Sequence, residues 1–127
     1  MRILAQLALI LVACTPYAAV APITVPTPAD PYAKVVRVLA DSGETIETKD
    51  ESAGVVMTKW EELEHMGTKY RLRWSIVLSG GSVTVSSQCK FRIKDDITFG
   101  PVEMKDCDKQ PPGRSEKASA LAGAIRD

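Results

Sequence analysis

The 127-residue sequence has one histidine, three cysteines, 6% aromatic residues and no excess of either charge, with 16 basic residues against 16 acidic ones. A lone histidine leaves few metal or acid–base chemistries open, because zinc centres draw on three or four nitrogen, sulfur or carboxylate ligands held together. The charge balance excludes the bulk nucleic-acid binding that a strongly basic chain supports. No apolar run approaches the roughly 20 residues of a membrane-spanning helix. No serine stands in a nucleophile elbow, and Ser79-Gly80-Gly81-Ser82 is followed by a strand pattern, not by the helix of a phosphate cradle. These absences predict a chain that is not an enzyme and carries no cofactor or metal. The 45% hydrophobic and 25% charged residues are those of an ordinary globular protein with one modest core.

After Met1-Arg2, residues Ile3 to Ala13 form an apolar run interrupted only by Gln6. Its length fits the apolar region of a signal peptide, about 7 to 15 residues. The segment Leu11-Val12-Ala13-Cys14 resembles the lipobox of bacterial lipoproteins. The resemblance implies cleavage between Ala13 and Cys14 and acylation of Cys14. With Thr15 next, it further implies an outer membrane and a domain facing the periplasm. Two alternatives stay open: ordinary cleavage after Ala19-Val20-Ala21, which Pro22 disfavours, and an uncleaved, buried amino-terminal helix. Residues 1–13 are thus expected as a signal peptide, 14–31 as the lipidated cysteine with a linker, and 32–127 as one domain. Pro16, Pro22, Pro26, Pro28 and Pro31 predict an extended tether of about 3.1 Å per residue.

Asp30-Pro31 is a helix start, with a carboxylate to cap and proline at the first position. Tyr32, Val35, Val36 and Leu39 form an apolar stripe, and Gly43 ends it, so a helix is expected over 31–41. The period then changes to two. Strands are expected at Thr45–Lys49, Val55–Trp60, Lys69–Leu78 and Val83–Lys94. With Gly80-Gly81 as a two-residue turn, Tyr70 faces Phe91, Leu72 Cys89, Trp74 Ser87, Ile76 Val85 and Leu78 Val83, which buries one face. Ala118, Leu121, Ala122 and Ile125 make a second helical stripe, with Ser115 as its cap. The expected fold is a two-layer α+β domain: helix, four-stranded antiparallel sheet, helix, with both helices on one side.

The runs Val36 to Gly43, Ile46-Glu47-Thr48, Ala53 to Trp60 and Tyr70-Arg71-Leu72-Arg73 resemble the helix-grip repeat of BamC-type outer-membrane lipoproteins, over about residues 32 to 93. That resemblance implies a helix-grip domain and a part in outer-membrane protein assembly, and carries no binding residue over.

With Cys14 acylated, Cys89 and Cys107 are left as a pair that an oxidising compartment would join. Two buried thiols, or a reactive Cys107 between Asp106 and Asp108, are the alternatives, the last disfavoured because neighbouring carboxylates suppress a thiolate. His65, in Glu61-Glu62-Leu63-Glu64-His65, would share a face with Glu61 on a helical turn, but the plain expectation is a solvated acidic loop. Asp95-Asp96 and Asp106-x-Asp108 lack the pattern of a calcium loop. Trp60 and Trp74 are expected in the core or at the sheet edge, with sugar stacking as the other reading.

The hairpin register also sets Lys69 against Arg92, Arg71 against Lys90 and Arg73 against Gln88, with Lys94 beyond. Like charges facing each other across a ladder are unfavourable. Either Glu47, Glu61, Glu62 and Glu64 reach across to them, or the long side chains splay into water, or the six cations form a binding face for an anionic lipid, a wall polymer or an acidic protein. The sequence therefore reads as an envelope lipoprotein, lipid-anchored and acting as a non-catalytic binding or assembly module. An envelope enzyme or inhibitor using the loop around His65, and a purely structural component, are the alternatives.

Overall fold

The structure, a computed structural model, describes residues 17–93 and 104–127. Cys14, Lys94 and Asp95-Asp96 lie outside the described residues. In chain order the elements are β1 (Ile23–Pro26), α1 (Pro31–Asp41), β2 (Ile46–Asp50), β3 (Val55–Thr58), β4 (Glu61–His65), β5 (Thr68–Ser79), β6 (Ser82–Ile93), β7 (Lys105–Asp106) and α2 (Arg114–Arg126).

The spine is the β5–β6 hairpin, two strands of twelve residues each. Every pair expected from the Gly80-Gly81 turn is found, from Leu78 opposite Val83 to Tyr70 opposite Phe91. Gly80 takes φ 59°, a conformation that favours glycine. Alternation along the hairpin sends Trp74, Ile76, Val83 and Val85 to one face. There they meet Val35, Val38 and Leu39 of α1 and Ala118, Leu121, Ala122 and Ile125 of α2. Both helices thus cover the same side of the sheet, as their apolar stripes require.

The fold class expected from the sequence is overturned: among the described residues the sheet has seven strands, all paired antiparallel, and the element order is not that of a helix grip. The path runs β1-β6-β5-β3-β2, with β4 also on β5 and β7 also on β6. Three strands escaped the sequence reading. β1 lies within the stretch expected as a tether, where Ile23 and Val25 alternate inward between Pro22 and Pro26 and pair with Val85 and Val83. An edge strand accommodates proline because its outer N–H groups need no ladder partner. β4, read as a loop, pairs Glu61 to His65 with Leu72 to Thr68. All five of its residues are exposed, which deprived it of any apolar alternation. β7 has only two residues, opposite Lys90 and Phe91.

Each long strand therefore changes neighbours midway, and side chains close both gaps. Where β3 gives way to β4 alongside β5, the Trp74 N–H donates to the Thr58 hydroxyl at 2.8 Å. Where β1 gives way to β7 alongside β6, Gln110 Nε2 donates to the Ser87 carbonyl at 2.9 Å, and the Ser87 hydroxyl donates to Gln110 Oε1. Buried backbone groups left unpaired would cost of the order of 1–3 kcal/mol each, so Thr58 and Gln110 do the work of missing strand residues.

The helix ends also differ from expectation. Asp30 has a left-handed backbone, and its carboxylate makes no capping bond. Gly43 does end α1: its N–H donates to the Ala40 carbonyl while that of Glu44 donates to Leu39, the paired bonds of a Schellman cap. α2 starts at Arg114 after Gly113, not at Ser115. Arg114 is buried over the Trp74 ring at 3.9 Å, and donates to the Ser87 hydroxyl and the Arg73 carbonyl. Burial lowers its pKa, opposed by the charges of Glu44 and Glu61. Glu44, itself buried, pairs with Lys117 of α2.

Candidate functional site

The sheet face away from the helices carries the residues expected to bind. Lys69, Arg71 and Arg73 on β5 stand opposite Arg92, Lys90 and Gln88 on β6, all pointing to this outer face. The structure brings together five of the six cations; Lys94 is outside the described residues.

It also brings acids to them from both edges. β4 sets Glu62 beside Arg71 and Glu64 beside Lys69, and the Arg71–Glu62 pair closes at 3.3 Å. β7 sets Asp106 beside Lys90. Across four strands one row thus runs Glu62, Arg71, Lys90, Asp106. Acids thus stand beside the like-charge pairs: Glu62, paired with Arg71, and Glu64, both weighed in the sequence, and Asp106, which was not. Glu61 and Glu47 do not take part: Glu61 is opposite Leu72 on the helix-side face, and Glu47 is on β2 at the far edge. An exposed pair such as Arg71–Glu62 contributes little stability, about 0–1 kcal/mol, but it sets the local potential.

The neighbouring row is aromatic and polar. Arg73 donates to Gln88 Oε1 at 2.6 Å, and its guanidinium lies 4.1 Å over the Trp60 ring. Trp60 thus packs at the edge of the outer face, while Trp74 is buried in the core. A depression of about 430 Å³ lies beside this pair, bordered by Lys90, Asp106 and Gln110. A second, of about 360 Å³, is bounded by Trp60, Arg71, Lys90 and Met104. Sequence reasoning missed Met104, Asp106 and Gln110, since their places follow from β7 and from the disulfide that ties this segment to β6.

That disulfide joins Cys89 and Cys107, with Cα atoms 5.4 Å apart. Cys107 N–H also donates to the Cys89 carbonyl, extending the β7 pairing by one residue.

The geometry of β4 corrects the idea of a shared Glu61–His65 site. In a strand, residues four apart share a face but sit about 13 Å apart, too far for a common ligand. His65 instead stacks on Tyr17 at 5.6 Å, and Tyr17 lies 5.6 Å from Tyr70. Burial, then the neighbouring Tyr70, raises the Tyr17 pKa. Among the described residues no three His, Cys, Asp or Glu side chains cluster as a metal site would require, and no helix is long and apolar enough to cross a membrane.

No protein-family model matches this chain, and no curated protein matches it. The functional reading therefore rests on the chain's own residues.

Proposed function

We propose that the protein is an envelope lipoprotein, exported, cut before Cys14 and held by acyl chains on that cysteine in the outer membrane, with its domain facing the periplasm. There it acts as a non-catalytic binding or assembly module. The observation that carries this reading is the division of the three cysteines: Cys89 and Cys107 are joined to each other, which leaves Cys14, at the end of the lipobox-like segment, as the thiol for acylation. A bond between the other two suits an oxidising compartment outside the cytosol.

The outer sheet face is the binding surface of this module. Its rows mix acids with bases, and Trp60 and Met104 border its depressions. A uniformly anionic polymer would meet Glu62, Glu64 and Asp106 along with the cations. A segment of another envelope protein, bearing both signs of charge, matches the pattern better, because complementary charge on both sides sets register and rejects wrong partners.

The test is mass spectrometry of the native protein from bacterial membranes, with and without reductant. A chain beginning at acylated Cys14, with two hydrogens gained on reduction, is expected. A chain beginning at Met1 or Pro22 that partitions into water on a detergent phase split would end the reading. A photo-crosslinker at Arg71 in intact cells should yield a discrete adduct that one at Lys34, on α1, does not.

A further inference from the structure

The β5–β6 hairpin is longer than the layer that covers it. The helix-covered core takes in Trp74, Ile76, Val83 and Val85, but not Tyr70, Phe91 or Ile93. Over that open end lie Tyr17 and His65 instead, and Tyr70 in turn meets Phe91 at 6.4 Å. The outermost rows carry apolar side chains in water: Met66 is 90% exposed, Ile93 58% and Leu63 40%. Met66 sits at the tip of the β4–β5 turn with φ 49°, so the chain accepts a backbone conformation unusual for such a residue while presenting its side chain to solvent. Next to this tip Lys69 stands opposite Arg92, two cations beside the one carboxylate of Glu64.

The chain's route adds the second observation. The described part of the proline-rich stretch is held by the domain from its start. Ala18 and Gln110 exchange both backbone bonds, at 3.1 and 2.8 Å, so the fold holds the chain from its first described residues. Cys14 is three residues before Tyr17, and three residues reach at most about 11 Å. An acyl anchor at Cys14 is therefore confined near Tyr17, which is itself part of the open end.

Resting on the reading of Cys14 as acylated, we infer that this end of the sheet, with Tyr17, Leu63, Met66 and Ile93 beside Lys69 and Arg92, lies against the anionic bilayer that holds the anchor. Apolar side chains enter the interface, tyrosine suits the headgroup level, and the two cations meet lipid phosphates. The hairpin then stands away from the membrane, which puts the Gly80-Gly81 turn about 37 Å from Thr68 along β5 and leaves Trp60, Arg71 and Lys90 facing the aqueous side.

Tryptophan placed at either end reads this orientation. Full-length protein carrying Met66→Trp or Ser79→Trp is expressed in a lipoprotein-processing bacterium. It is then purified from membranes, checked for acylation by mass spectrometry, and reconstituted in phosphatidylglycerol–phosphatidylethanolamine vesicles with brominated acyl chains. Emission is compared with that of the parent. The expected result is strong quenching of the tryptophan added at 66 and none of that at 79. Ile93→Trp serves as the second probe of the same end if Met66→Trp fails to fold. Acylated protein quenched equally at both ends, or at neither, overturns the orientation and leaves the anchor standing. Native protein without acyl chains on Cys14 overturns both.

Discussion

Reduction of the Cys89–Cys107 bond should cost the domain a large part of its stability. The two residues are 18 apart in sequence, and closing a loop of that length removes about 3 kcal/mol of unfolded-chain entropy. Domains of this size hold only about 5–15 kcal/mol in all. With a urea dependence of about 1–1.5 kcal/mol per molar for a domain of this size, the unfolding midpoint should fall by about 2–3 M. The comparison is urea unfolding of the oxidised protein against the same protein in reductant, with Cys89→Ser/Cys107→Ser as a check that the reductant acts only here. A loss of under about 1 kcal/mol would refute the reasoning. It would mean that the reduced unfolded chain already keeps the segment around Cys107 close to β6, so that the bond removes little further entropy. A large loss would mean that the fold depends strongly on oxidised thiols.

Further substitutions test the frame that holds the outer face. Gly54 and Gly43 both have positive φ, but a Cβ on Gly54 would stand 2.3 Å from the Leu78 carbonyl oxygen, whereas one on Gly43 would meet nothing within 4 Å. Alanine at 43 should cost about 1–2 kcal/mol, and alanine at 54 clearly more, about 3 kcal/mol, because it also displaces the bond from Leu78 N–H to the Gly54 carbonyl. Equal thermal midpoints for the two variants would contradict this. Arg114→Ala should cost about 2–3 kcal/mol by stranding Ser87 and the Arg73 carbonyl and uncovering Trp74. Arg114→Lys should not restore it, since an ammonium lacks the planar fork that lies on the ring. A lysine variant as stable as the parent would sink that account.

The hairpin was legible because its signals are local. Gly80-Gly81 and strict alternation on either side define one register, and that register alone placed Lys69, Arg71, Lys90 and Arg92 on a common face. α1 was legible for the same reason, through Pro31 and the spacing of Val35 and Leu39. The three additional strands were not, because each owes its conformation to a neighbour. β1 sits among prolines, β4 has no buried residue, and β7 is two residues long. Their backbone groups become strand only when β5 and β6 offer free edges to pair with.

For the site, the difference has chemical weight. The sequence by itself determined where the cations stand, since the alternation of a hairpin is a property of adjacent residues. Only the tertiary structure decided what stands beside them. Asp106 comes from a segment with no local reason to lie next to Lys90, and Glu62, although only a two-residue turn separates β4 from β5, stands on a strand with no buried residue to announce it. The Asp106–Lys90 pairing is a long-range contact in the chain, and together with Glu62 and Glu64 it makes the basic face one of mixed charge.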